Sequence, residues 1–250
     1  MTLSESEGRP VALVTGASSG IGEATVRALA AAGYDTVSAA RRLERCEALA
    51  DEVGGRAMRL DVTDPDSIAS LASQLEQLDV VVHSAGGALG LAPIAEASDE
   101  DWIGMYESNV LGVMRLTRAL MPQIEADGGG HIVILGSVAG VEVYEGGGGY
   151  TAAKHAVNAI ARTLRLELLG KPVRVTEVAP GAVETEFSLV RFEGDESRAA
   201  NVYRGLDPLV AADVAELIAF AVTRPKHVNV DMLAVKPIAQ ATARDFHREE

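Results

Sequence analysis

Residues 10–22 read Pro10-Val11-Ala12-Leu13-Val14-Thr15-Gly16-Ala17-Ser18-Ser19-Gly20-Ile21-Gly22. A short apolar run stops at a glycine cluster, after which Ala24, Val26, Leu29 and Ala30 recur at helical spacing, so the segment reads as strand, turn, helix. The glycines are spaced G-x-x-x-G-x-G. At that place Gly16, Gly20 and Gly22 would let the backbone come close to a pyrophosphate, with the helix-start residues Ser18, Ser19 and Ile21 beside it. The alternative is a tight strand-to-helix connection that binds nothing.

The same unit recurs along the chain. Asp35 to Ala40 precedes a helix at Leu43 to Val53, Ala57 to Asp61 precedes Pro65 to Gln77, and Leu78 to His83 precedes Asp99 to Ala126. Strands at His131 to Gly136, Pro172 to Ala179 and His227 to Val235 follow, with helices at about Tyr150 to Leu169 and Ala211 to Thr223. Apolar runs alternating with helices predict an α/β, Rossmann-type fold: a doubly wound parallel sheet of about seven strands with helices on both faces. Its chemistry should lie just beyond the carboxyl ends of the strands. A chain of 250 residues fits one dinucleotide-binding domain over residues 1–250, with polar tails at both ends and a substrate loop at about 182–210.

Composition narrows the function. The formal charge of -14 repels nucleic acid and anionic membranes, and no basic stripe with interleaved aromatics offsets it. No apolar stretch reaches a membrane span, and the N-terminal MTLSESEGRP lacks the apolar core of a signal peptide. A soluble cytoplasmic protein with a small-molecule substrate is expected. The single cysteine, Cys46, excludes an internal disulfide and a cysteine-rich zinc site. His83, His131, His155, His227 and His247 show no metal-ligand spacing, so no metal is expected.

Where dinucleotide folds usually end the second strand in an acid, this chain has Ala39-Ala40 followed by Arg41-Arg42. Guanidinium groups suit a 2′-phosphate, which points to NADP over NAD; the alternative is a solvated basic helix start, unfavourable beside the positive end of a helix dipole. Asp61-Val62 ends the third strand, where Asp61 either meets an adenine amino group or opens a turn. His83-Ser84-Ala85-Gly86 ends the fourth, and the small Ala85 and Gly86 permit close approach of a cofactor.

Ser137 follows the fifth strand, thirteen residues before Tyr150. A hydroxyl there could bond a substrate oxygen that also faces a phenol; a nucleophilic role is disfavoured because the surrounding run is not G-x-S-x-G. Tyr150 and Lys154 lie four residues apart, on one face of a helix. A tyrosine titrates near 10, so it can exchange protons near neutrality only if a cation stabilises its phenolate, and Lys154 could supply that cation. Gly146-Gly147-Gly148-Gly149 ahead of them reads as a flexible rim or a turn.

Through TGxxxGIG, the serine, YxxxK and Pro180-Gly181 with Thr185, the chain resembles the short-chain dehydrogenase/reductase family over essentially its whole length. The resemblance implies that Tyr150 is the general acid/base, that Lys154 lowers its pKa and binds the nicotinamide ribose, and that Ser137 orients the substrate oxygen. It further implies that Asn109 holds a water of the proton relay and that Pro180, Gly181, Val183 and Thr185 belong to the segment cradling the nicotinamide. The family's usual Asn-Asn-Ala-Gly is His83-Ser84-Ala85-Gly86 here, a departure that bears on local cofactor contacts. A narrower resemblance runs through Ala88-Leu89-Gly90, Glu186 to Asp195 and His227-Val228-Asn229-Val230. These are similar to the NADP-dependent 3-hydroxy acid dehydrogenases that oxidise serine and allo-threonine, and imply a homotetramer.

Arg191 is the candidate carboxylate clamp for a hydroxy acid; the alternative pairs it with Glu193 or Asp195. The expected reaction takes a proton from a secondary alcohol to Tyr150 and its hydride to NADP, or the reverse. Competing readings are a broad carbonyl reductase and an NADP sensor that turns nothing over.

Overall fold

The structure is a computed structural model that describes residues 8–249; residues 1–7 of the polar N-terminal tail and residue 250 lie outside the described residues. In chain order the elements begin β1 (Val11–Thr15), α1 (Gly20–Ala31), β2 (Asp35–Ala40), α2 (Leu43–Val53), β3 (Arg56–Arg59), α3 (Pro65–Ala72), β4 (Val80–His83) and α4 (Asp99–Tyr106). A π-helical stretch, Glu107–Leu111, joins α4 to α5 (Gly112–Glu125), followed by β5 (His131–Leu135), α6 (Gly148–Glu167) and β6 (Arg174–Pro180). The chain continues through β7 (Val183–Glu184), α7 (Phe187–Arg191), α8 (Glu196–Tyr203), β8 (Leu209–Val210), α9 (Ala211–Val222) and β9 (Met232–Val235).

Seven strands form one parallel sheet in the order β3-β2-β1-β4-β5-β6-β9. The expected doubly wound fold is what forms. Strand order reverses between β1 and β4, which opens a crevice at their carboxyl ends. Alternate strand residues feed two cores. Leu13, Val81, Ile132, Ile134 and Val175 pack with α3, α5 and α6 on one face. Val14, Val82, Val133 and Val178 pack with α1 and α9 on the other.

Several boundaries differ from the sequence reading, each for a local reason. The helix expected at Pro65 to Gln77 starts as expected, with Asp64 accepting from the Asp66 amide, but stops at Ala72. There the side chains of Ser73 and Gln74 both take the Ser70 carbonyl. The strand expected at His227 to Val235 shrinks to Met232–Val235. Ahead of it, Asn229 accepts from the Val175 amide through its side chain and Val230 accepts from the Thr176 hydroxyl, in place of ladder bonds. The continuous helix expected at Asp99 to Ala126 widens in the middle. Ser108 Oγ there donates to the Gly104 carbonyl and Asn109 Nδ2 to the Met105 carbonyl. The stretch 182–210, read as a loop, carries α7 and α8 and the two-stranded pair β7–β8.

Candidate active site

The glycine turn sits at the reversal of strand order and is shaped by close approach. A Cβ on Gly16 would lie 2.9 Å from the Ala85 amide nitrogen and the Ser84 carbonyl, and the position has φ +66. Thr15, which the sequence reading did not single out, fastens this junction: its hydroxyl accepts from the Ser84 and Ala85 amides, at 3.1 and 3.0 Å. Gly20 faces Thr185, whose side chain would lie 3.3 Å from an added Cβ. The turn and the segment after Pro180 thus form opposite walls of one cleft.

Beside the turn Arg42 donates to the hydroxyls of Ser18, at 3.1 Å, and Ser19, at 2.8 Å. The same guanidinium pairs with Glu186 at 3.0 Å, and Arg45 joins that carboxylate at 2.8 Å. The pairing of Arg45 with Glu186 escaped the sequence reading because the two are 141 residues apart. Arg41 is exposed. Asp61 opens a turn, accepting from the Thr63 amide at 3.0 Å and hydroxyl at 2.7 Å. Although burial opposes it, these bonds and the charges of Arg41 and Arg59 keep its carboxyl below the usual value. Val62 packs against the core beside Gly112. A glycine turn at the start of a helix and a guanidinium beside two hydroxyls are groups that suit a phosphorylated dinucleotide.

Further along the crevice, α6 presents Tyr150 and Lys154 to the end of β5, 9% and 7% exposed. Gly148 and Gly149 of the glycine run belong to its first turn. A Cβ on Gly149 would stand 2.4 Å from Met105 Cε and one on Gly147 2.2 Å from the Tyr144 ring, so this wall is packed and not a flexible rim. Ser137, also buried, takes the Ala139 amide on its Oγ at 3.1 Å and donates to the Pro180 carbonyl at 3.5 Å. Lys154 Nζ donates to the Leu135 carbonyl at 2.8 Å and stands 5.8 Å from the centroid of the Tyr150 ring. Burial dominates the phenol, pushing it above the ordinary tyrosine value; the Ser137 hydroxyl works against that rise, Tyr144 adds to it and the Arg191 guanidinium opposes it. Burial also draws the Lys154 ammonium down to about 8, a shift that Glu177 resists.

Asn109 donates to the carbonyls of Gly87, at 2.9 Å, and Met105, at 2.8 Å, while its Oδ1 is buried without a partner. That oxygen faces Gly86, where a Cβ would come within 2.5 Å. A buried amide oxygen with spare acceptor capacity suits a bound water. His83 is structural: its Nε2 and the Thr117 hydroxyl lie 3.0 Å apart, and burial holds its imidazole neutral with a pKa of about 4. The residue that replaces the family's asparagine therefore ties β4 to α5.

Beyond Pro180 and Gly181, Val183 is buried, and the Thr185 hydroxyl accepts from the Phe187 amide at 3.2 Å. Phe187 meets the Tyr150 ring edge-on at 5.6 Å. Arg191 completes the wall. Its Nε donates to the Gly90 carbonyl at 2.9 Å, and its guanidinium carbon lies 5.6 Å from the Tyr144 ring centroid and 5.8 Å from that of Tyr150. Nη2 is buried without a partner. Among the described residues no ion pair joins Arg191 to Glu193 or Asp195; Asp195 instead caps α8 by accepting from the Arg198 amide. A small pocket lined by Leu89, Asp101, Trp102, Gly149, Tyr150 and Arg191 brings the phenol and the guanidinium together. Among the described residues no three metal-ligating side chains cluster and no helix is long and apolar enough to cross a membrane.

Residues 10–195 match the family model described as short chain dehydrogenase. The chain belongs to the short-chain dehydrogenase family. It is an oxidoreductase of that family. An uncharacterized oxidoreductase of Mycobacterium tuberculosis is 59% identical over 233 residues, covering 93% of each chain. The NADP-dependent 3-hydroxy acid dehydrogenase of Salmonella typhimurium is 40% identical over 240 residues, 93% of this chain and 97% of the other. The closed form of a serine dehydrogenase complexed with NADP+ superposes with a TM-score of 0.90 at 38% identity, covering 96% of this chain and all of that one.

Proposed function

We propose that this short-chain dehydrogenase transfers hydride between NADP(H) and a 3-hydroxy acid, serine or a relative. The observation that carries the substrate class is Arg191: a buried guanidinium nitrogen without a partner, beside the face of the phenol that would handle the proton. A carboxylate is the natural partner for such a group, and a neutral alcohol would leave it unpaired. The likeness to 3-hydroxy acid and serine dehydrogenases supports the same reading.

In the oxidative direction Tyr150 takes the hydroxyl proton of a substrate that Ser137 holds through the same oxygen. Lys154, with its charge, makes the phenolate accessible, and Asn109 with its spare acceptor holds the water through which the proton leaves. Arg42, with Ser18 and Ser19, would bind the 2′-phosphate, and the turn of Gly16, Gly20 and Gly22 at the helix start would hold the pyrophosphate. Val183 and Thr185 flank the nicotinamide place. Bound NADP supplies the hydride acceptor, or as NADPH the donor. A cytoplasmic homotetramer, as the resemblance implies, is part of the proposal.

The test is a spectrophotometric assay with NADP and NAD in parallel, against a panel of 3-hydroxy acids and neutral secondary alcohols of equal size. Turnover is expected with NADP and the hydroxy acids. Preference for neutral substrates would move the assignment to a broad carbonyl reductase, and tight NADP binding with no turnover on any substrate would make the protein a sensor.

A further inference from the structure

We propose that Glu177, steadied by Asn158, is a positioning residue that acts as the buried counter-ion of Lys154 and keeps its ammonium charged during turnover. The inference rests on the reading of Tyr150 and Lys154 as the proton-transfer pair.

Glu177 lies in the middle of β6 and is only 2% exposed. Its side chain takes the same face of the strand as Val173 and Val175, the face covered by α6. A buried carboxylate is costly there, and an apolar residue would pack without that cost. Its two oxygens are treated differently. Oε2 accepts from Asn158 Nδ2 at 2.6 Å, and Oε1 is buried without a partner. Asn158 stands four residues beyond Lys154 on α6, so both side chains meet the sheet from one helix face.

The link between carboxylate and ammonium runs along one peptide. Lys154 Nζ bonds the Leu135 carbonyl. The next residue, Gly136, has no room for a side chain, because its Cβ would fall 2.1 Å from Glu177 Oε1. The free carboxylate oxygen and the ammonium thus both adjoin the Leu135–Gly136 peptide, close enough to interact strongly in a dry interior without forming a direct ion pair. Each shifts the other as opposite charges should: Glu177 raises the Lys154 ammonium against the pull of burial, and Lys154 lowers a carboxyl that burial pushes up.

Other charged groups around the pair are already committed. From α6 Arg165 pairs with Asp231, which precedes β9, at 3.1 Å, and Lys236, which follows β9, pairs with Glu142 at 3.8 Å. Tyr150 faces Lys154 from one turn earlier on α6, and Tyr144 and Arg191 face Tyr150 from the glycine-run side and from α7. His155 points to solvent. Glu177 is left as the anion that faces Lys154.

The decisive experiment titrates Lys154 directly. The chain has four lysines, so protein labelled with 13C-lysine gives a short set of side-chain signals in the cofactor-free state. Glu177→Gln, an isostere of the neutral acid, is expected to lower the Lys154 titration by about one pH unit, a tenfold fall in the ratio of ammonium to amine at a given pH. Glu177→Asp keeps the charge and should restore most of that unit. The alkaline limb of kcat for the oxidation should move with it, whereas a merely structural role would lower stability without moving either titration. Should Glu177→Gln not fold, Asn158→Ala weakens the support of the carboxylate and should give a smaller shift in the same direction. An unmoved Lys154 in the folded variants, or equal shifts in the Gln and Asp variants, overturns the inference. Failure of the wild-type protein to oxidise any hydroxy acid would instead sink the proposed function, because the lysine titration is read without substrate or cofactor.

Discussion

Replacing Arg191 with methionine tests the substrate assignment most sharply. The wild-type side chain has two structural tasks, the Nε bond to the Gly90 carbonyl and the stacking on Tyr144 and Tyr150. Methionine keeps much of the apolar contact and loses the bond, which costs about 1 kcal/mol whatever the substrate. The backbone bond from the Gly90 amide to the Arg191 carbonyl, at 3.0 Å, remains to hold the wall. Only a carboxylate substrate suffers the second loss, that of charge-assisted bonds to the Nη nitrogens, on the order of 2–3 kcal/mol. In kcat/KM that is about 30- to 150-fold beyond the common loss. Serine, or another 3-hydroxy acid that the wild type accepts, should be assayed beside a neutral alcohol of similar size with saturating NADP, and the ratio of the two kcat/KM values compared between variant and wild type. A ratio that stays within about threefold would falsify the clamp, even if both activities drop, because the common loss already accounts for such a drop.

Tyr150→Phe should cut turnover by about a hundredfold or more while NADP binding, followed by fluorescence titration, stays within a few-fold; turnover near the wild-type level refutes the proton-transfer role. Arg42→Ala should weaken NADP by about ten- to a hundredfold and leave NAD nearly unchanged, since of the groups on the cofactor only the 2′-phosphate loses a partner; a parallel loss for both cofactors counts against the assignment. Stability should fall with acid. His83 and His131 have pKa values of about 4 and about 3 in the folded chain, well below the ordinary 6.5, because both are buried. Between those values and 6.5 the unfolded chain binds more protons, so stability is complete above about 6.5 and declines as pH drops toward 4, by on the order of 3 kcal/mol per histidine. Chemical denaturation of His83→Asn across that window should give a shallower decline than wild type, and an equally steep one would mean His83 is not the source.

The α/β architecture was legible because local signals repeat: each apolar run is followed by a helical pattern, and the structure keeps all seven strands in one parallel sheet. Tyr150, Lys154 and Ser137 were legible as candidates because helix spacing and strand ends fix direction at short range, and the structure brings all three to one crevice. Contacts between residues remote in sequence could not be read. Glu186 on Arg42, Arg191 on Gly90 and Thr15 on Ala85 each span about 70 residues or more. Nor could the environment of a titrating group be read from spacing. Tyr150 and Lys154 share a face as expected, yet the phenol is governed by burial, with Ser137, Tyr144 and Arg191 as its lesser influences, which the four-residue separation alone does not disclose. Helix and strand ends failed where side chains replaced backbone partners, as at Ser73, Gln74 and Asn229.

The widened helical turn at Glu107–Leu111 makes Asn109 answerable to two masters. Its amide group plugs the carbonyls of Met105 and Gly87 with one end and offers an acceptor toward Gly86 with the other. Truncating the residue would therefore strip two carbonyls, that of Met105 buried, of a donor and unsettle the bend at the same stroke as it removes the acceptor, so a slow alanine enzyme would report architectural damage blended with lost chemistry. Aspartate, which keeps the acceptor but lacks the donor, and leucine, which fills the space with neither, would separate those contributions.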